Sequence, residues 1–130
     1  MPESKKLIYL SDQDDRCREE TAGLLAMQGY DVATFDSAEE TLEKAAATPP
    51  SLFITSMGLG GKMDGLGFIR ALKADERLKA IPIIFHTGAR RVMHMPYVFA
   101  PDPVHFPVFA VIEKPVRPAY LYEVVEKALA

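Results

Sequence analysis

Apolar and polar positions follow two periods along the chain, and the two alternate. Short apolar runs predict strands at "KLIYLS" (Lys6 to Ser11), "YDVATF" (Tyr30 to Phe35), "SLFITS" (Ser51 to Ser56), "IPIIFH" (Ile81 to His86) and "VFAVIE" (Val108 to Glu113). The second alternates strictly, as a half-buried strand does. Helical spacing fills the gaps. From about Asp15 to Gln28, Thr21, Leu24, Leu25 and Gln28 share one face, and Gly29 fits the position that ends a helix. "SAEE" (Ser37 to Glu40) is a capping box: the Ser37 hydroxyl can take the Glu40 amide hydrogen, and Glu40 can reach back to the Ser37 amide. Ala38, Leu42, Ala45 and Ala46 then line a second helix, which Pro49 and Pro50 stop. A third helix starts near Gly65, with Leu66, Ile69 and Leu72 on one side. The last runs from Pro118, at the first helical position, to Ala130, with Leu121, Val124, Val125 and Ala128 facing inward.

Five strands alternating with helices imply a parallel sheet covered on both faces, because parallel neighbours need crossover connections. No repeat or linker interrupts the pattern, so residues 1–130 are expected to form one domain. One stretch breaks the rhythm. Between strands four and five the chain reads "ARRVMHMPYVFAPDPVHFP" (Ala89 to Pro107). Pro96, Pro101, Pro103 and Pro107 would each cost about 3 kcal/mol inside a helix. A short helix from about Ala89 to Met95 is the most that fits, followed by an irregular, proline-rich connection.

Composition narrows the class. The 130 residues are 48% hydrophobic and 25% charged, as a soluble globular domain is. A net charge of −3 gives no general attraction to nucleic acid or anionic lipid. Cys17 is the sole cysteine, which excludes an internal disulfide; its place in a helical pattern predicts a buried, inert thiol. No apolar stretch reaches the length of a membrane span. "MPESKKLIYLSDQDD" has charges on both sides of a short apolar run, unlike a signal peptide, so a cytoplasmic location is expected.

In an open parallel sheet the carboxyl ends of the strands share one edge, and the loops there build the site. Strand one ends in "SDQDD", strand three in Ser56, strand four in His86-Thr87-Gly88 and strand five in Glu113-Lys114-Pro115. Topology alone therefore gathers Asp12, Ser56, Thr87 and Lys114. An acid, two hydroxyls and an ammonium in one pocket suit a phosphate or a divalent cation. His86, alternating with Thr87, should point away from them.

Acidic residues after strand one, Gly29-Tyr30 before strand two, Met63-Asp64-Gly65 opening the third helix, Thr87 and Lys114-Pro115 occur in this order. With them the chain resembles the receiver domain of two-component response regulators over nearly its whole length. The resemblance implies a flavodoxin-like α/β fold, a five-stranded parallel sheet of order 2-1-3-4-5 with helices on both faces. Here the helix between strands four and five is short or replaced. In that family two adjacent acids after strand one help hold Mg²⁺, and an aspartate ending strand three accepts a phosphoryl group. The acid pair falls on Asp12 and Gln13. The acceptor falls on Ser56 when counted from strand three, or on Met57 when counted back from Asp64. Thr87 and Lys114 match the family's phosphoryl-contacting residues, and Val111 stands where an aromatic is common.

The substitutions change the chemistry. A serine hydroxyl is neutral and needs a general base to act as a nucleophile. Mg²⁺ wants charged oxygens in near-octahedral array. Losing two of three carboxylates removes attractions of up to roughly 4 kcal/mol per unit charge pair. Mg²⁺ binding is therefore expected to be weak or absent, with Asp14 able to compensate only if it turns inward; no other cofactor is implied. With Asp12 as the one acid left, Lys114 can neutralise the pocket. The expectation is a degenerate, non-enzymatic receiver that signals by protein contact independently of phosphorylation. Its former phosphorylation pocket comprises Asp12, Gln13, Ser56, Thr87 and Lys114. The partner would be a protein such as a histidine kinase or an output domain, with a homodimer also compatible, and neither nucleic acid nor membrane. The alternative is a module binding a small molecule or phosphate in that same pocket. A flavodoxin-like enzyme would need a nucleophile–base pair, which the sequence does not offer.

Other motifs add less. "GLGGK" (Gly58 to Lys62) lacks the spacing of a phosphate-binding P-loop, since Ser56 stands where glycine is required and Met63 where Ser or Thr is, and a flexible loop is expected. Met93-His94-Met95 with His105 is too few ligands for a soft-metal site, and Arg90-Arg91 reads as a solvated face. Tyr97, Phe99, Phe106 and Phe109, set between prolines, either present a docking surface to a partner or pack down on strand five.

Overall fold

Parallel pairing organises the whole chain. The structure, a computed structural model, describes residues 5–88, 101–102 and 106–130. In chain order it forms β1 (Leu7–Ser11), α1 (Asp15–Met27), β2 (Asp31–Phe35), α2 (Ala38–Ala47), β3 (Leu52–Thr55), α3 (Gly65–Ala74), β4 (Ile83–Thr87), β5 (Ala110–Glu113) and a last helix, here α4 (Pro118–Leu129). The sheet order is β2-β1-β3-β4-β5. Every neighbouring pair is parallel, in registers such as Tyr9 opposite Phe53 and Phe85 opposite Val111. This is the flavodoxin-like fold that the resemblance implied, built on the parallel sheet that the alternation of periods predicted. β3 and β4 are central and buried throughout, whereas the edge strand β2 is half-buried.

Alternation along the strands divides the core into two layers. Tyr9, Phe53, Ile83 and Phe85 face one side, where Ala38 and Ala45 of α2 and Phe68 and Leu72 of α3 cover them. Ile8, Leu10, Leu52, Ile54, Ile84 and Ile112 face the other, against Leu25 of α1 and Leu121, Val124 and Val125 of α4. Edge-to-face ring pairs fix the first layer: Phe53 meets Phe68 at 5.8 Å between centroids, and Phe85 meets Phe106 at 5.0 Å.

Local rules set most boundaries. Ser37 caps α2 by accepting the Glu40 amide at 3.2 Å, the first half of the expected box. Gly29 adopts φ +91° just after α1, a conformation few side chains tolerate. Pro118 opens α4 at the first helical position. Helix faces differ in detail from the sequence reading. Gln28 and Ala46 are exposed, while Thr41 and Phe68 are buried in their layers. Thr41 can be buried because its hydroxyl is satisfied: it donates to the Ser37 carbonyl at 2.7 Å and receives Ser11 Oγ at 2.8 Å.

Two loop expectations change. The Gly58 to Lys62 loop is tied down, not free: the Gly60 amide donates to the Asp36 carbonyl at 2.6 Å, and the Lys62 amide donates to Glu39 Oε2 at 3.2 Å. Phe106 is no docking residue, since it is 8% exposed and packs on Phe85. The aromatic ring at Phe109 is 46% exposed. Tyr97 and Phe99, proposed with Phe106 as a partner surface, lie outside the described residues, as do Arg90-Arg91, Met93-His94-Met95 and His105. No helix among the described residues is long and apolar enough to cross a membrane.

Candidate functional site at the carboxyl edge of the sheet

Asp12 follows β1 and turns its carboxylate inward, leaving the residue 2% exposed. Its Oδ1 accepts the Asp14 amide at 3.0 Å, and its Oδ2 accepts Lys114 Nζ at 2.7 Å. Lys114 follows β5, where its amide donates to the Thr87 carbonyl at 2.9 Å and the peptide to Pro115 is cis. β1 and β5 are separated by β3 and β4, a span of about 14 Å at the usual strand spacing. The lysine arm therefore crosses the carboxyl ends of the two central strands to reach its partner. Those ends carry Ser56 and Thr87, both buried.

The approach of α3 shapes the β3 end. A Cβ at Gly65 would collide with the Ser56 carbonyl, so only glycine lets the helix start there. Asp64 caps that helix through the Gly67 amide at 2.8 Å. The Met63-Asp64-Gly65 motif is thus a cap followed by a close backbone approach.

Gln13, expected in the pocket, and Asp14, which could join it only by turning inward, both stand at the rim. Gln13 is exposed; its amide nitrogen donates to the Gly58 carbonyl at 3.1 Å and its side chain lies against Gly58. Asp14 does not turn inward. It is the N-cap of α1, accepting the Cys17 amide at 3.1 Å. Cys17 itself is half-buried, not buried as the helical pattern suggested.

The electrostatics follow from the Asp12–Lys114 pair. Burial pulls the Lys114 ammonium down, but the hydrogen bond and charge of Asp12 outweigh it, and its pKa is raised overall. Burial pushes the Cys17 thiol up, away from the reactive thiolate. His86 completes the neighbourhood on the opposite face of β4, next in the row after Ile84. It is 3% exposed, and neither ring nitrogen has a hydrogen-bond partner. Burial first, then the charge of Lys114, push its pKa down to about 4 against the weaker pull of Asp12. The sequence had the direction of this side chain but gave it no role. Its signal was a polar residue continuing an apolar i, i+2 row.

The donor set does not fit a divalent cation. Asp12 is the one buried carboxylate among the described residues, and Lys114 already holds it. No three His, Cys, Asp or Glu side chains among those residues converge on a point that could hold a metal.

A flavodoxin-like sheet gathering an acid, hydroxyls and a lysine at its carboxyl edge defines the general class. The chain belongs to the response regulator receiver domain family, whose profile matches residues 8–126. Solved structures agree in fold. A sensor protein from Polaromonas sp. JS666 superposes with a TM-score of 0.82 at 22% identity, covering 97% of each chain. The receiver domain of NtrX from Brucella abortus gives 0.79 at 24% identity, covering 94% of this chain and 97% of that one. The chemotaxis response regulator CheY4 of Vibrio cholerae gives 0.79 at 19% identity, covering 97% and 100%. A search of curated protein sequences returns no match.

Proposed function

We propose that this receiver domain has lost its phosphoryl switch and signals through protein contacts that do not depend on phosphorylation. The observation that supports this reading is the Asp12–Lys114 ion pair, at 2.7 Å, in a pocket with no second buried carboxylate among the described residues. The family's acceptor position falls on Ser56, or on Met57 when counted back from Asp64; a serine hydroxyl needs a base, and a thioether offers no oxygen to accept the group. Asp12 is engaged with Lys114, and neither ring nitrogen of His86 makes a hydrogen bond. The former pocket then comprises Asp12, Gln13, Ser56, Thr87 and Lys114. An internal ion pair takes the place of the exchange between metal, phosphoryl group and lysine.

Receiver domains are signalling modules that work with histidine kinases or output domains, and the partner of this chain is a protein of one of those kinds. A phosphate-binding role for the same pocket is less favourable, because an incoming anion would have to displace Asp12 from Lys114.

Thermal melting with and without millimolar Mg²⁺ and beryllofluoride tests the reading. The expected result is an unchanged melting temperature for the natural chain and a rise for the Gln13→Asp, Ser56→Asp double variant. A rise of several degrees for the natural chain would overturn it.

A further inference from the structure

On the α1 side of the sheet, with neither Ser56 nor Thr87 in its lining, a groove of about 520 Å³ opens between α1 and the loop that enters α4. Leu24 and Val116 give it apolar walls, Cys17 and Thr21 add a thiol and a hydroxyl, and His86 forms part of its lining. We propose that this groove binds a small, uncharged, largely apolar molecule carrying one hydrogen-bonding edge, such as a lactam or an indole, and that His86 recognises that edge.

Three observations carry the assignment. First, a neutral imidazole has one donor and one acceptor, and here both nitrogens are sealed from solvent without a partner. Buried polar atoms are nearly always paired, so an unpaired ring beside a groove marks an unmet recognition group. Second, the charged groups around the groove are engaged, Asp14 by the Cys17 amide that it caps. Lys114 is held by Asp12 at 2.7 Å, and Arg16 pairs with Glu20 at 3.1 Å. Neither cation of the lining, Arg16 nor Lys114, is left free to select an anionic ligand. Third, the volume lies within the range of small-molecule pockets. Entry past Thr21 and Val116 requires a side-chain adjustment at His86 that brings one nitrogen to the groove. The groove and the pairing state of His86 stand whether or not Ser56 can accept a phosphoryl group.

The test is titration of the isotope-labelled full chain near neutral pH with 2-quinolinone, an uncharged bicyclic lactam, and in parallel with inorganic phosphate. Saturable shifts are expected at the Cys17, Thr21 and Val116 amides and at the His86 ring nitrogens with the lactam, and none there with phosphate. His86→Leu should weaken the lactam at least about tenfold, the size of one lost buried hydrogen bond. Should that variant fail to fold, Val116→Trp fills the groove from its exposed side and should abolish the shifts at Thr21. Absent shifts, undiminished binding by either folded variant, or phosphate moving the same amides would each overturn the proposal.

Discussion

Replacing His86 by leucine should remove a specific acid sensitivity from the fold. In the folded chain the imidazole ionises only near pH 4, whereas its ordinary value is 6.5. Below the ordinary value the unfolded chain takes up a proton that the folded chain refuses. Stability is therefore unaffected above that value and falls as pH drops through the window, by about 1.4 kcal/mol per pH unit. Across the window from 6.5 to about 4 the loss reaches about 3 kcal/mol, then levels off as the folded form also protonates. Against a typical total of about 5–15 kcal/mol this is a large share. Leucine also removes two unpartnered buried nitrogens, so the variant should gain about 1–3 kcal/mol at neutral pH. Urea unfolding of both chains, from about pH 7 to about pH 4.5, isolates the effect, because other titrating groups are common to both and cancel in the difference. The stability gap between variant and natural chain should widen steadily as pH falls. A gap constant to within about 0.5 kcal/mol over that range would refute the reasoning, since it would mean that His86 protonates as easily folded as unfolded.

Other perturbations test other links. Asp12→Asn leaves the Lys114 ammonium largely buried without its counter-charge and should cost about 3 kcal/mol by urea unfolding; a loss under about 1 kcal/mol would show that the pair contributes little. Gly65→Ala places a methyl group against the Ser56 carbonyl, which backbone cannot easily yield, and should lower stability by at least about 2 kcal/mol. Gly23→Ala is the contrasting case: it lies inside α1 with open space around it and should raise stability by about 0.5–1 kcal/mol. A destabilised Gly23→Ala or a neutral Gly65→Ala, read from melting curves, would contradict the packing described.

Much of the fold was legible because it rests on period and punctuation. The strand runs, Gly29, Ser37 and Pro118 each act within a few residues, and each appears where local chemistry places it. The Asp12–Lys114 meeting was also legible, since a parallel sheet puts those strand ends on one edge, within reach of the long lysine arm. What sequence could not supply depended on distant partners. Thr41 is buried because Ser11, thirty positions away, hydrogen-bonds to it. The Gly58 to Lys62 loop looks free until Asp36 and Glu39 tie it down. Asp14 could have faced the pocket, but the cap of α1 engages it instead. Phe106 could have faced a surface or a core, and Phe85 decides for the core. His86 was visible as a polar break in an apolar row, yet only three dimensions reveal that nothing meets its nitrogens.

The most direct test of the central claim is chemical. The purified chain is incubated with acetyl phosphate and Mg²⁺, and its intact mass is read. The account predicts a mass unchanged from the untreated protein, alongside an ordinary receiver domain that becomes modified under the same conditions. A gain of about 80 Da, the mass of one phosphoryl group, lost again on mild hydrolysis, would contradict it.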